Sequence, residues 1–370
     1  MNYFMVFSIA VAMSAAACGS GEFTADSTSF GRAASELAPP GSGLVVQSQA
    51  VSFLGAPRAS FGAATALGRL FIVGGHTGKE HRYKPESFLA TTQVYDPVTR
   101  EWHIVAPRPV AAEGFMLVAH DRVLYAFGGF AYDGTRTPSY QSLDVIDRYD
   151  TRADRWETIG HMPRHVSSNA VIPIGNRAYL FGGWDATPTA DGRPFGDFVT
   201  DIDVFDFETE TMSTLAVKLP KARRAMAGCA WNGKAVLLGG IGPDFSSPLF
   251  SDVTVFDPET SEWSELAPLS APTLSPVAGV SGGRLFAIGG YQQGGADGFS
   301  GYAKTVDMLE SPSGQWVRTA SQLQKGAGFS AIAKLPGDAL AVLGGQTNEG
   351  GNGPLTSFDT FQFVVDPPGL

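Results

Sequence analysis

The residues of this sequence best suited to bind a ligand are basic side chains that recur just ahead of short apolar runs. An arginine guanidinium presents a planar fork of hydrogen-bond donors that fits a carboxylate, so a ring of such residues predicts an anion site. The alternative is structural, with each basic residue tying its turn to neighbouring backbone carbonyls. The ring comprises Arg58, Arg108, Arg164, Arg223 and Lys325, with Thr273 as the exception at the sixth position.

A second set of candidates follows a Gly-Gly doublet that occurs six times. The residues after the doublets are His76, Phe130, Trp184, Ile241, Tyr291 and Gln346. Among these we expect His76, Trp184 and Tyr291 to contact a ligand, since aromatic faces suit packing against sugars or apolar groups. Glu113 is the acid expected to point toward the same centre, near Arg108. It could act as a general acid or base in sugar-ring chemistry, or it could simply form an ion pair.

The elements that must position these residues repeat along the chain. The doublets end at Gly75, Gly129, Gly183, Gly240, Gly290 and Gly345, with spacings of 54, 54, 57, 50 and 55 residues. Each unit has a small-residue strand, a tight turn, a strand ending in the doublet, a variable loop and a third strand ending in an aromatic residue. A Trp or its substitute stands seven residues further on, which predicts a hairpin with a fixed register. The pairs are Tyr95 with Trp102, Tyr149 with Trp156, Phe205 with Met212, Phe256 with Trp263, and Leu309 with Trp316.

Four antiparallel strands in each of six units predict an all-β, six-bladed β-propeller. The order of doublet, aromatic residue and Trp resembles the kelch repeat, over residues from about 44 to 365. That resemblance implies that the loops after the doublets and the chain entering each first strand share one face, around a central channel. The last unit has no Trp and no fourth strand of its own. We therefore expect residues 44–51 to supply that strand and to close the ring.

The N-terminus predicts export. Residues 1–17 form a short apolar segment of signal-peptide type. Its end, together with the next residue, reads Ala15-Ala16-Ala17-Cys18 and resembles a bacterial lipoprotein signal with Cys18 as the lipidated residue. An ordinary secretory cleavage site is the alternative. Residues 18–43 are predicted to be a flexible tether and residues 44–370 the propeller. The expected location is the periplasm, the outer membrane or the cell surface.

The composition of the chain excludes some classes of function. A formal net charge of −10 argues against a nucleic-acid or anionic-membrane binder, so membrane contact is expected only through the lipid anchor. No metal site or cofactor is predicted, and Cys229 is expected to be a buried apolar residue. The favoured function is a monomeric, non-enzymatic binding or scaffold domain that recognises a protein or a glycan. The alternative, from a resemblance to exported kelch epimerases of sialic acid, is a sugar epimerase or mutarotase acting on an anionic sugar.

Overall fold

Short β-strands make up nearly all the regular structure of this chain. The computed structural model describes residues 44–48, 57–78, 83–137, 139–193, 195–243, 249–294, 298–349, 353–355 and 358–363. The predicted signal peptide, Cys18 and the tether lie outside the described residues. Among the described residues, no helix is long and apolar enough to cross a membrane.

The strands form six four-stranded antiparallel sheets, the blades. In chain order they begin with β1 (Leu44–Ser48), followed in blade 1 by β2 (Gly62–Ala66), β3 (Arg69–Val73), β4 (Thr92–Asp96) and β5 (Glu101–Val105). Blade 2 has β6 (Met116–His120), β7 (Val123–Phe127), β10 (Val145–Asp150) and β11 (Arg155–His161), with β8 (Phe130–Tyr132) and β9 (Tyr140–Ser142) in the loop after β7. Blade 3 has β12 (Ala170–Ile174), β13 (Arg177–Phe181), β14 (Asp201–Asp206) and β15 (Thr211–Lys218).

The second half of the chain repeats this order. Blade 4 has β16 (Ala227–Trp231), β17 (Lys234–Leu238), β18 (Val253–Asp257) and β19 (Glu262–Leu266). Blade 5 has β21 (Val277–Ser281), β22 (Arg284–Ile288), β25 (Thr305–Leu309) and β26 (Trp316–Gln322), beside a small sheet of β20 (Thr273–Leu274), β23 (Tyr291–Gln292) and β24 (Gly301–Tyr302). Blade 6 has β27 (Ala331–Lys334), β28 (Leu340–Leu343) and β31 (Phe358–Phe363), with β29 (Gln346–Thr347) and β30 (Gly353–Pro354) in its loop. Two 3₁₀ helices, Pro85–Ser87 and Pro336–Asp338, complete the described elements.

The seven-residue interval sets the register of the outer hairpins, as predicted. Tyr95 pairs with Trp102, Tyr149 with Trp156, Phe205 with Met212, Phe256 with Trp263, and Leu309 with Trp316. In blades 2, 4 and 5 the indole also joins the blade to the one before it. Trp156 Nε1 donates to Thr92 Oγ1 at 3.0 Å, and Trp316 Nε1 donates to the Ala267 carbonyl at 2.8 Å. One aromatic residue therefore fixes both a hairpin and a contact between blades.

The ring is closed by the two ends of the chain. Strand β1 pairs antiparallel with β31, with Leu44 opposite Phe363 and Ser48 opposite Asp359, and so becomes the fourth strand of blade 6. The first strands contact each other in the circular order β2, β6, β12, β16, β21, β27 and back to β2. The prediction of a six-bladed propeller closed by the N-terminal strand is confirmed.

A continuous circle of six backbone hydrogen bonds surrounds the central axis. One residue from each blade, just ahead of its first strand, donates its N–H to the carbonyl of the corresponding residue in the preceding blade. The donor–acceptor pairs are Gly114 to Ser60 (2.8 Å), Ser168 to Gly114 (2.7 Å), Ala225 to Ser168 (2.8 Å), Ser275 to Ala225 (2.8 Å), Phe329 to Ser275 (3.2 Å) and Ser60 to Phe329 (2.8 Å). All six have positive φ, between 49° and 62°. Because every bond joins two blades, this axial ring holds all six together at the centre.

The doublets are glycine because each lies against the chain that forms this ring. Gly74 and Gly75 have φ of 62° and 97°, and a Cβ on Gly75 would lie 2.8 Å from the Ala59 carbonyl oxygen. The other five doublets have the same positive φ. Side chains are therefore excluded both by backbone conformation and by space. The first strands are rich in small residues for a related reason, since a Cβ on Gly62 would lie 2.5 Å from Leu117 Cβ of the next blade.

Two faces follow from this topology. The loop face carries the axial ring and the loops after the doublets. The turn face, on the opposite side, carries the tight turns between the first and second strands and between the third and fourth strands of each blade.

Candidate functional site

The mouth of the propeller is the opening of its channel on the loop face. Its frame is formed by the residues just before the axial ring, each paired through its backbone with the residue after a doublet. These pairs are Ala59 with His76, Glu113 with Phe130, Ser167 with Trp184, Arg224 with Ile241, Leu274 with Tyr291, and Gly328 with Gln346. The positions after the doublets therefore surround the mouth, and His76, Trp184 and Tyr291 are among them.

An aromatic wall stands on the blade 1 and blade 2 side of the mouth. The Tyr83 ring lies edge-on to Tyr140, with centroids 4.9 Å apart, and 5.9 Å from Phe130. Phe130 lies 5.4 Å from Tyr140, and His76 lies 5.9 Å from Tyr83. Such ring pairs combine apolar burial with the preferred edge-to-face geometry. The loops of two blades thus form one apolar surface that carries the hydroxyl groups of two tyrosines.

Arg224 is the cation of the mouth. Its guanidinium carbon lies 4.2 Å from the centroid of the Trp184 ring, a cation–π contact between blades 4 and 3. Burial lowers the pKa of Arg224 to about 10, and this shift is opposed by Tyr83 and Tyr140. The side chain still carries its charge at neutral pH. Loops from blades 1, 2, 3 and 4 therefore converge around one guanidinium.

Trp184 also packs against two phenylalanines of its own blade. Its ring centroid lies 5.0 Å from Phe195 and 5.8 Å from Phe198, both in the loop between β13 and β14. This packing restricts the indole on which Arg224 stacks. The long loop of blade 3 therefore contributes to positioning the cation.

Glu113 supplies an acid at the same mouth. It is 6% exposed, and its backbone pairs with Phe130. Burial raises the pKa of Tyr140, Arg224 acts against that shift, and Glu113 adds to it, so the three groups act on one another electrostatically. Glu113 was predicted to lie near Arg108. The ionic partner of Arg108 is instead Asp147, at 2.7 Å, and the cation of the mouth is Arg224.

Three of the predicted ring residues lie inside the protein. Arg58, Arg108 and Arg223 are only 1%, 2% and 0% exposed. Each donates to the carbonyl of the first glycine in its own blade's doublet, with N···O distances of 3.0, 3.3 and 3.2 Å to Gly74, Gly128 and Gly239 respectively. Arg108 and Arg223 are also paired with Asp147 and Asp252. These contacts match the structural alternative, and a ligand at the mouth does not reach the three guanidinium groups.

The remaining two basic residues lie on the loop face, each beside a carboxylate. Arg164 donates to Asp201 at 2.7 Å and lines an open cavity of about 410 Å³ with His165, Asp185 and Phe198. Lys325 is exposed, near Glu349 on the rim of blades 5 and 6. The structure therefore does not bring the five predicted basic residues together as one ring.

The blade 4 and blade 5 side of the mouth is apolar. Ile241, Leu249 and Leu274 pack with Ala225 of the axial ring, and Tyr291 lies against this cluster. Tyr291 also contacts Tyr302 edge-on, with centroids 5.4 Å apart. A ligand at the mouth would meet a charged, aromatic half and a hydrocarbon half.

Sequence reasoning missed Arg224, Tyr83 and Tyr140. Arg224 directly follows Arg223, and only one of two adjacent side chains can face the mouth when the chain is extended. The available signal was Glu113, which occupies the position equivalent to Arg224 in blade 2. Tyr83 and Tyr140 lie within variable loops, where no repeat position marks them.

Cys229 lies in β16 and was predicted to be a buried apolar residue; it packs against the apolar cluster between blades 4 and 5 but is only half-buried. Burial raises the pKa of its thiol to about 12. Among the described residues, no three His, Cys, Asp or Glu side chains come together in a way that could hold a metal ion.

The fold and its mouth define a closed β-propeller built from kelch-type units. A family model described as the KLHDC2/KLHL20/DRC7 Kelch-repeats domain matches residues 60–290, more than half of the chain. The chain therefore belongs to this kelch-repeat family.

Similar proteins support the same assignment. Kelch-like protein 25 of Homo sapiens is 26% identical over 265 residues, which are 71% of this chain and 41% of that protein. Kelch-like protein 41b of Danio rerio is 26% identical over 240 residues, 64% of this chain and 36% of that protein. The chain thus spans about two fifths of the length of these relatives. A solved structure described as "Structure of YjhT" has a TM-score of 0.66 at 19% identity, over 82% of this chain and 94% of that one, which shows a shared fold.

Proposed function

We propose that this chain is a binding domain whose mouth recognises a partner protein through a carboxylate-bearing segment. The observation that carries the proposal is Arg224 held on the Trp184 ring at 4.2 Å, beside Tyr83 and Tyr140. A guanidinium held in this way offers charge-assisted hydrogen bonds to a carboxylate, and the aromatic wall offers area for the adjoining side chains. Binding without catalysis requires nothing more from the site.

The test is selection from a displayed library of random dodecapeptides on the purified domain. Enriched peptides should carry an acidic residue or end in a free carboxylate. Arg224→Ala should weaken them about 10- to 100-fold, since hydrogen bonds to a charged group contribute about 1.5–3 kcal/mol. Arg152→Ala, an exposed arginine on the turn face, is the matched control and should leave affinity unchanged. Equal affinity for the wild type and Arg224→Ala would refute the proposal.

A second candidate is the mutarotation of an anionic sugar such as a sialic acid, which Glu113 favours. In that reaction the bond between ring oxygen and anomeric carbon breaks while the anomeric hydroxyl gives up a proton and the ring oxygen gains one; the reverse step closes the other anomer. A carboxyl beside a tyrosine and an arginine is suited to moving these protons. NMR of anomer exchange in N-acetylneuraminate distinguishes the two functions. Exchange accelerated by the wild type and lost in Glu113→Gln would favour the enzyme, and exchange at the uncatalysed rate would exclude it.

We also propose that the domain is exported and held at a bacterial membrane through lipidated Cys18. The sequence Ala15-Ala16-Ala17-Cys18 after an apolar segment supports this. Labelled palmitate should be incorporated by the wild type but not by Cys18→Ala. A wild-type chain found unlabelled in the soluble fraction would show simple secretion instead.

A further inference from the structure

Two turns on the turn face of blade 1 expose large apolar side chains. Leu67, in the turn between β2 and β3, is 63% exposed, and Val98, in the turn between β4 and β5, is 89% exposed. Leu67 also has a φ of 50°, a backbone conformation that favours Gly or Asn. Leu67 therefore lacks both the usual stabilisation by burial and a relaxed backbone.

The repeat provides an internal comparison. The residues at the position of Leu67 in blades 2 to 5 are Asp121, Gly175, Asn232 and Gly282, all with positive φ. Those at the position of Val98 in blades 2 to 4 are Arg152, Glu208 and Glu259. The same turn geometry is thus formed elsewhere with polar residues or glycine. Apolar residues at both turns distinguish blade 1, so the turn itself does not require them.

The apolar patch, defined as Leu67 and Val98 in two separate turns, lies on the same face of the domain as residue 44. A Cβ on Gly68 would lie 4.0 Å from Pro336 Cγ, so the turns of blades 1 and 6 touch. Blade 6 contains β1, which runs from the turn face toward the loop face, because Leu44 pairs with Phe363 and Ser48 with Asp359. Residue 44 is therefore at the turn face. The first described strand therefore begins on the side opposite the mouth.

We propose that the apolar patch rests on the lipid surface to which the chain is anchored, so that the mouth points away from the membrane. This inference rests on the proposed anchoring through Cys18. The 25 residues 19–43 have an end-to-end distance of about 25–30 Å if they behave as a flexible coil. Such a tether keeps the turn face at a millimolar effective concentration near the membrane.

The charge beside the patch is close to balanced. Arg69 and Arg100 are exposed beside the patch, and Asp96 is paired with Arg69 at 3.0 Å. Two apolar side chains are too few to hold a protein on a bilayer alone, since even a single acyl chain binds only marginally. The patch is thus an orienting contact that acts together with the anchor.

The test couples the full chain through Cys18 to maleimide lipids in vesicles of phosphatidylethanolamine and phosphatidylglycerol. This coupling makes the orientation measurable whether or not cells lipidate Cys18, and palmitate labelling tests lipidation separately. Hydroxyl-radical footprinting then compares the coupled chain with the same chain in solution. Oxidation of Leu67 and Val98 should fall at least threefold. Phe299, on the loop face, and Val317, on β26, are 41% and 55% exposed and should be unchanged.

Three results would overturn the proposal: no fall at Leu67 and Val98, an equal fall at all four residues, or a fall at Phe299 alone. A fall in the uncoupled chain that grows with its own concentration would assign the patch to a second copy and would also overturn it. The variant Leu67→Asn with Val98→Glu copies the turns of blade 4 and should keep the fold. On vesicles, Pro336 of this variant, in the turn next to that of residue 67, should be oxidised as it is in solution. In the blade 4 control variant, Asn232→Asp with Glu259→Gln, Pro336 should remain protected on vesicles.

Discussion

The buried pair of Arg108 and Asp147 provides the sharpest test of the structural role of the interior arginines. Arg108 Nε donates to Asp147 Oδ2 at 2.7 Å, Nη2 donates to the Gly128 carbonyl at 3.3 Å, and the guanidinium carbon lies 4.4 Å from the Phe115 centroid. Both charged side chains are completely enclosed. Arg108→Ala would leave the Asp147 carboxylate buried with Thr158 as its remaining side-chain donor, at 2.6 Å.

Removing one partner of a buried ion pair typically costs about 3–5 kcal/mol, because the other charge remains enclosed. For a domain of about 320 residues the unfolding entropy is about 0.7 kcal/mol per degree, so the melting temperature should fall by about 4–7 °C. Scanning calorimetry measures this directly. Arg177→Ala, which removes an exposed pair with Asp206, is the matched control and should change the melting temperature little.

The double variant Arg108→Met with Asp147→Asn tests whether the loss of stability comes from the charge left unpaired. With both charges absent, most of the lost stability should return, since an apolar or neutral replacement avoids the uncompensated charge. A single variant that melts no lower than the Arg177→Ala control would refute the structural role of Arg108. A double variant that melts lower than the single one would refute the explanation by uncompensated charge.

Four further predictions follow from the fold. Deleting residues 44–51 removes β1 and should greatly lower the melting temperature of the whole domain; a truncated chain that melts like the full one would contradict closure by this strand. Leu67→Asn should raise the free energy of unfolding by about 1 kcal/mol in urea titration, because Asn tolerates positive φ better than Leu. Cys229 should resist a thiol reagent at pH 8 until the domain is unfolded, because burial raises its pKa to about 12. Stability should decline as the pH falls below about 4, the ordinary range of carboxyl groups. Four carboxyl groups in the outer turns have pKa values below their usual range. For three of them the main cause is a hydrogen bond from a backbone N–H, and for the fourth it is a hydrogen bond from Lys234. The stability that these ionised carboxylates provide is therefore lost as the pH falls through their folded-state pKa values. Urea midpoints from pH 7 to pH 3 measure it, and a variant with all four changed to Asn should show a flatter decline; the four are Asp96, Asp150, Asp206 and Asp257.

Asp203 and Asp359 act in the opposite sense. Burial raises the pKa of both carboxyl groups. The folded state therefore binds their protons more tightly than the unfolded chain does, and their contribution to stability rises as the pH falls. The four depressed groups outnumber these two, so the net expectation remains a loss of stability in acid.

Much of the fold could be predicted because the same types of residue recur at the same intervals in each repeat. The interval from Tyr95 to Trp102 fixes a hairpin locally, and the same interval in other units fixes the equivalent hairpins. The missing fourth strand of the last unit predicted the pairing of β1 with β31, since an unpaired edge in a closed ring would be unfavourable. The positions after the doublets could likewise be placed at the mouth, as His76 and Trp184 show.

The sequence by itself determined six blades, their register, their closure and the face on which the loops lie, because these depend on short intervals that recur. Only the tertiary structure decided which basic side chains meet there. Arg223 and Arg224 are adjacent in sequence, yet Arg223 turns inward to the Gly239 carbonyl while Arg224 stacks on Trp184 at the mouth. The physical reason is that successive side chains of an extended segment point in opposite directions. Which direction is inward depends on the axial ring, and that ring exists only when all six blades are in place.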